Sequence, residues 1–283
     1  MMRVPTCAAF VTGGAALLAA TLATHAVAAD ASAWAQDQHS AVRLIAGAGQ
    51  TDGRLRAGVE IRMKPGWKTY WRYPGDAGVP PRFDFSGSTN LASATVLWPA
   101  PHVFKDESGQ SIGYKDAAIF PIAVTPKQKG EPVTLKAKVD YAVCEKLCVP
   151  AEGQATLTLN DNSGGKSGSS DAMLAAAEAQ VPRPVTAAAA GLTVKRISGE
   201  PKPLVVVDLP AAPNGTRTVL VEGPSADWAL PIPSPVPDAP AGHSRFSFAL
   251  DGLPAGADPK ASVQLTITIV GGDKPIEVKT RLD

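Results

Sequence analysis

Residues Val133–Leu159 read VTLKAKVDYAVCEKLCVPAEGQATLTL, two alternating runs on either side of a pair of cysteines. Val133, Leu135, Ala137, Val139, Tyr141 and Val143 fall on one side of an extended chain, with Thr134, Lys136, Lys138 and Asp140 on the other. Period-two alternation of this kind marks a strand with one face buried and one wet. After a loop of roughly nine residues by the pattern, Ala155, Leu157 and Leu159 alternate with Gln154, Thr156 and Thr158. Two such runs joined by a short connection predict an antiparallel hairpin, and the connection carries Cys144 and Cys148.

Outward from the hairpin the same signal recurs. Val42 and Leu44, then Leu55, Ala57, Val59 and Ile61, sit at alternate positions among Arg43, Arg54, Arg56 and Glu60. Lys64-Pro65-Gly66 is a turn signal, and Trp67–Tyr73 is an extended run stopped by Pro74-Gly75-Asp76. Trp98–Gly109 lacks a strand pattern and is expected as a long loop, of the kind that forms lids and binding elements. On the C-terminal side, Asn160–Ser170 is rich in Asn, Ser and Gly and predicts a linker. Asp171–Gln180 predicts a short helix capped by Ser170 or Asp171. Further strands are expected at Leu204–Leu209, Thr218–Glu222, Ser244–Leu250, Val263–Val270 and Ile276–Arg281, with the Pro-rich Pro231–Pro240 among the segments between them. The organisation is therefore all-β: a first domain over residues 38–160, a linker with a short helix over 161–188, and a second, smaller β-rich domain over 189–283. The 26 Gly and 26 Pro among 283 residues are the turns of these sheets rather than a low-complexity composition.

Charge narrows the partners. Lys and Arg total 27 against 26 Asp and Glu, a net charge of +1. No basic field is available for a phosphate backbone, so nucleic acid is not an expected partner. Residues 1–28 are expected as a secretory signal peptide: Arg3 is the only charge before Asp30, Ala8–Ala23 is apolar, and Ala26-Val27-Ala28 offers small residues for cleavage. Thr12, Gly13, Gly14, Thr21 and Thr24 dilute this segment as a membrane anchor. No later stretch reaches spanning length, so the mature chain is expected to be exported, without a membrane span. Cleavage would remove Cys7, leaving Cys144 and Cys148 in a compartment that permits disulfides.

Three chemistries fit a Cys-Glu-Lys-Leu-Cys loop. Residues four apart on a continuous strand are about 13 Å apart, whereas a disulfide needs its Cα atoms within about 7 Å. The pair closes only if the chain turns between them. A structural disulfide over so short a loop contributes about 2 kcal/mol in the chain-entropy model, which a chain with two β cores hardly requires. An exposed small-loop disulfide is alternatively a redox pair. Two thiolates are also a soft-metal site, copper above all, although no Met or His lies within the motif to complete it. His102, Trp228 and His243 are expected to be structural or surface residues. Of Trp67, Tyr70, Trp71 and Tyr73, part is expected in the core, with an aromatic patch beside a site as the alternative.

The ordered set Lys68-Thr69-Tyr70-Trp71-Arg72-Tyr73, Trp98-Pro99, Lys105-Asp106-Glu107, Ser111-Ile112-Gly113-Tyr114-Lys115 and Asp140-Tyr141-Ala142-Val143-Cys144-Glu145-Lys146-Leu147-Cys148-Val149-Pro150 resembles the N-terminal periplasmic domain of the thiol:disulfide interchange protein DsbD. The nearest branch is that of the suppressor-of-copper-sensitivity B proteins. The resemblance covers about Ser40 to Leu159. It implies an immunoglobulin-like β-sandwich with an exposed redox pair, Cys144 and Cys148, in which Cys148 forms the mixed disulfide with the client. It implies that Tyr70 and the Asp106-Glu107 pair surround the site and that Phe104–Gly109 is a cap loop over the cysteines. The family's cap places an aromatic directly after the acidic pair. Here that position is Ser108, with Phe104 as the substitute shield.

The expectation is thus a periplasmic protein-disulfide reductase without a cofactor or a metal. Its clients would be thioredoxin-like or disulfide isomerase proteins, and the resemblance carries cytochrome c biogenesis and copper tolerance as settings. Neither a transmembrane bundle nor a thioredoxin-like domain is expected over residues 161–283, so a separate membrane-embedded thiol reductase is the expected electron donor. The competing expectation is a non-catalytic periplasmic binding module whose disulfide is structural, with a role in copper tolerance.

Overall fold

The computed structural model describes residues 1–2, 29–76, 78–106, 109–160, 168–198, 202–212 and 216–283. The expected signal peptide falls on residues 3–28 and lies outside the described residues. No helix among the described residues is long and apolar enough to cross a membrane.

The first domain is built of β1 (Ala35–Gln36), β2 (Ser40–Thr51), β3 (Arg54–Met63), β4 (Lys68–Gly75), β5 (Arg82–Asp84), β6 (Leu91–Val96), β7 (His102–Asp106), β8 (Gly109–Lys115), β9 (Ala117–Pro126), β10 (Val133–Cys144) and β11 (Cys148–Leu159). One sheet has the order β1-β2-β3-β9-β6 and the other β11-β10-β4-β8-β7, with β5 also paired to β10. The expected one-sided burial of β10 holds: Val133, Leu135, Ala137, Val139, Tyr141 and Val143 are buried, while Lys136 and Asp140 are exposed. These side chains share one core with Val42, Leu44, Val59 and Ile61 of the facing sheet and with Trp71 and Ile112. Burial of each large apolar side chain contributes about 1.5–3 kcal/mol, so the two sheets close on each other as a sandwich.

Two expectations about loops are corrected. The β10–β11 ladder is unbroken from Val133↔Leu159 to Cys144↔Cys148, so the connection is Glu145–Leu147 and not about nine residues. Pro150 and Gly153 hide the alternation of β11 in the sequence. They are tolerated because β11 is an edge strand, where a missing N–H costs no ladder bond, and because Val42 packs where a Gly153 side chain would stand. The second correction concerns Trp98–Gly109. It is not a patternless loop, since His102–Asp106 forms β7 and pairs with β8 from His102↔Gly113 to Asp106↔Gly109.

The remainder comprises α1 (Ser169–Ala179), β12 (Arg183–Val185), α2 (Ala187–Ala190), β13 (Thr193–Ile197), β14 (Leu204–Pro210), β15 (Thr218–Glu222), β16 (Ser234–Val236), β17 (His243–Ala249), β18 (Val263–Val270) and β19 (Ile276–Leu282). Two four-stranded sheets, β12-β19-β18-β15 and β13-β14-β17-β16, enclose a second core around Val207, Phe246, Ile267 and Val278. The five strands expected here are all present. β12, β13 and the Pro-containing β16 were not legible, because they are short and lack a clean alternation.

Helix α1 does not hang free. Gly168, not Ser170 or Asp171, stands at its N-cap, and no side chain caps it. Asp171 instead accepts hydrogen bonds from the Ala48 N–H at 2.9 Å and from Arg56 Nη1 at 2.8 Å, and Glu178 accepts from Arg56 Nη2 at 2.6 Å. The Glu178 hydrogen bond, against a smaller desolvation, raises the Arg56 guanidinium above its ordinary value. Fully buried Leu174 stands over Gly58, beside Ile45 and Ile119. This explains why Ile45, on the polar side of β2 by alternation, is buried: α1 covers the outer face of that sheet.

Candidate functional site

The site begins with the register of one hairpin. Cys144 and Cys148 are the last pair of the β10–β11 ladder, their Cα atoms are 4.1 Å apart, and their sulfurs are bonded. A cross-strand pair at this spacing is within disulfide reach. The turn is closed by the Glu145 N–H donating to the Leu147 carbonyl at 3.3 Å. Glu145, Lys146 and Leu147 are all exposed.

The two sulfurs are not equivalent. Cys144 is only 7% exposed and packs with Tyr70 and Ala142, whereas Cys148 is exposed. The asymmetry follows from the sheet. Cys144 pairs with Lys68 of the neighbouring β4, so it is covered on that side, while Cys148 lies on the open edge. Of the two sulfurs, that of Cys148 belongs to the exposed residue.

Strand β4 supplies the rest. The Thr69 hydroxyl donates to the Ala142 carbonyl at 2.9 Å in a buried bond that ties β4 to β10. One residue on, the buried Tyr70 phenol oxygen stands 2.9 Å from Cys144 Sγ and 3.1 Å from Cys148 Sγ. A phenol O–H donates more strongly to an anion than to a neutral acceptor. Tyr70 is therefore placed to stabilise a thiolate on either cysteine. Gly78 lies flat against the Tyr70 ring, where any side chain would overlap it.

Phe104, expected as the substitute shield, is half-buried on β7, opposite Ser111 of β8. Its link to the pair runs through Lys68: the Lys68 ammonium lies 5.0 Å from the Phe104 ring centroid, and Lys68 is the register partner of Cys144. The backbone of Asp106 closes β7 opposite Gly109. The Asp106 side chain and the whole of Glu107 and Ser108 lie outside the described residues. Sequence reasoning named Tyr70, Cys144 and Cys148, which the fold brings together. It did not single out Lys68, Thr69 or Gly78, whose roles depend on which strand lies beside which.

The other aromatic residues divide as burial requires. Trp71 is fully buried in the core, Trp67 stacks on His39 with centroids 4.0 Å apart, and the Tyr73 hydroxyl donates to the Leu230 carbonyl of the second domain. His102 is exposed, and Trp228 covers Gly223 in the second domain. Among the described residues, no three His, Cys, Asp or Glu side chains gather as a metal site would require.

Residues 34–160 match the family model described as thiol:disulfide interchange protein DsbD, N-terminal. The chain is similar in structure to the N-terminal periplasmic domain of ScsB from Proteus mirabilis, with a TM-score of 0.67 and 18% sequence identity over 89% of this chain and 98% of that one. Coverage that wide exceeds the first domain, so the shared fold includes the second. At that identity the likeness concerns the fold, which is an immunoglobulin-like β-sandwich followed by further β structure. No curated protein sequence matches the chain.

Proposed function

We propose, on the match of residues 34–160 to the family model of DsbD N-terminal domains, that this chain is a periplasmic protein-disulfide reductase working through Cys144 and Cys148. The observation that carries the proposal is the asymmetric sulfur pair under one phenol. Exposed Cys148 is the member a partner meets, buried Cys144 is held beside it, and Tyr70 reaches both.

In the reduced protein the Cys148 thiolate attacks one sulfur of a client disulfide. A Cys148–client bond forms, the client's own S–S bond breaks, and its second sulfur departs as a thiolate that takes up a proton. Cys144, deprotonated, then attacks Cys148 Sγ, which restores the Cys144–Cys148 bond and releases the client as a dithiol. Two electrons pass to the client. They are returned by a donor dithiol, for which a separate membrane-embedded thiol reductase is the candidate. Thioredoxin-like or disulfide isomerase proteins of the same compartment are the candidate clients. The signal peptide expected over residues 1–28 and the compartment of the matching family support export.

Trapping tests the roles. Cys144→Ser, which cannot resolve the intermediate, is expected to accumulate mixed disulfides with an oxidised thioredoxin-fold protein, and Cys148→Ser is expected to give almost none. Equal trapping by both variants would remove the assignment. A reduction potential below about −300 mV would mark an inert structural bond and overturn the redox reading itself.

A further inference from the structure

We propose that Arg72 is a positioning residue for the redox pair, and that the second domain acts through it as part of the site. Strand β4 is irregular. Tyr70 pairs with Gly113, yet Gly75 pairs with Ser111, so Trp71, Arg72, Tyr73 and Pro74 stand opposite Ile112 alone. A segment that bulges out of its ladder is not fixed by strand pairing. Pro74 also lacks an N–H to donate. What holds the bulge must come from side chains.

Trp71 anchors it inward, fully buried in the first core. The outward anchors both lie in the second domain. Arg72 Nε donates to Glu222 Oε1 at 2.9 Å, and Arg72 Nη2 donates to Glu222 Oε2 at 2.7 Å and to Glu277 Oε2 at 2.5 Å. The guanidinium also lies 4.4 Å from the Trp71 ring centroid. Burial pulls its pKa down, but the Glu222 hydrogen bond and the charges of both glutamates more than offset this, so the net shift is upward. Next to it, Tyr73 donates to the Leu230 carbonyl. Apolar packing joins the same junction: Leu220 of the second domain is buried in the first domain's core, with Ile232 and Val270 against it.

The last β4 residue in register before the bulge is Tyr70, whose phenol oxygen is within 3.1 Å of both sulfurs. A single residue, Trp71, therefore separates the interdomain clamp from the phenol that faces both sulfurs. A bidentate arginine fixes direction as well as distance. With the clamp intact, the bulge has one conformation and the phenol one position. Without it, Trp71, the Tyr73 hydrogen bond and the Gly75↔Ser111 pair still tether the bulge, but no bidentate contact fixes its direction, and the phenol no longer stays within reach of the sulfurs. The thiolate then loses its donor, the thiol pKa rises, and the equilibrium moves toward the disulfide.

The test uses the full chain and measures two quantities, the equilibrium of the Cys144–Cys148 bond against a glutathione redox buffer and the thiolate absorbance as a function of pH. Tyr70→Phe is expected to shift the equilibrium constant about tenfold toward the disulfide, which is about 30 mV, and to raise the pH at which the thiolate appears. Arg72→Ala is expected to shift both in the same direction, the equilibrium by at least threefold. It should add little when combined with Tyr70→Phe, because both act through one phenol. A shift that is absent for either single variant, or fully additive in the double variant, would overturn the inference. Glu222→Gln combined with Glu277→Gln leaves β4 untouched and decides the matter if Arg72→Ala fails to fold: an unchanged equilibrium would overturn the inference. The inference rests on the redox reading for its purpose only. Coupled shifts without any client exchange would sink that reading and leave the coupling standing.

Discussion

At the residue scale, the chemistry depends on which side chains are exposed at one hairpin end. Leu147 is 78% exposed between the cysteines, and Val79, next to the glycine that supports Tyr70, is 53% exposed. On the proposed redox reading, a large apolar side chain left in water between the two cysteines, as Leu147 is, suits a partner with an apolar surface around its own cysteine. Leu147→Asp is expected to slow exchange with an oxidised thioredoxin-fold protein about tenfold or more, and exchange with dithiothreitol much less. Equal slowing of both, followed by quenched thiol labelling, would count against a docking role. Thr69 sets the frame for the phenol, since its hydroxyl satisfies the buried Ala142 carbonyl. Thr69→Val leaves that acceptor unpaired, and a loss of about 1–3 kcal/mol is expected in urea unfolding.

At the element scale, β4 must lie close to β8 on one side and β10 on the other for Tyr70 to meet the sulfurs. Gly113 permits the first approach, because a Cβ there would overlap the Thr69 carbonyl. The obstacle is backbone, which cannot swing aside as a flexible side chain can. Gly113→Ala is expected to cost about 1–3 kcal/mol, in the range of other overpacked sites, and to move the pair's reduction potential as well. The sequence shows β10 and β4 plainly, through alternation and the following turn. It does not show β7, whose short run His102–Asp106 carries no alternation and is fixed by pairing with β8. Nor does it show the true length of the cysteine loop, since Pro150 and Gly153 argue against a strand that an edge position allows.

At the scale of the whole molecule, two junctions stand out: α1 on the outer face of the first sandwich and the Arg72 clamp between β4 and the second domain. Leu174→Ala empties a fully buried site under α1, and a cost of about 2–5 kcal/mol is expected by urea unfolding. The second junction has a signature in pH. Burial, with Asp76 and Glu222 as further causes, pushes the Tyr73 phenol up to about 12 from its ordinary 10. A raised value means that the folded state holds the proton longer than the unfolded chain. Its contribution is full below pH about 10 and is lost as pH climbs through about 12. Stability is therefore expected to fall across that alkaline window, and Tyr73→Phe is expected to flatten the fall. An identical slope in the variant would show that Tyr73 does not report on the junction.

Alternation of apolar side chains by itself determined the all-β class, the hairpin and the placement of both cysteines at one end of it. Those are local properties, since side-chain period and turn chemistry act over a few residues. The motif order from Lys68 to Pro150 likewise carried the family and named Tyr70 beside the pair. Only the tertiary structure decided that Cys144 is covered and Cys148 open, because that depends on β4 lying against β10 while β11 keeps a free edge. It alone showed that the helix of the expected linker is docked, and that Arg72 finds Glu222 and Glu277 across 150 and 205 residues of chain. No sequence period reaches that far. Which charges meet is set by the shape of two closed cores, and that shape exists only once both have folded.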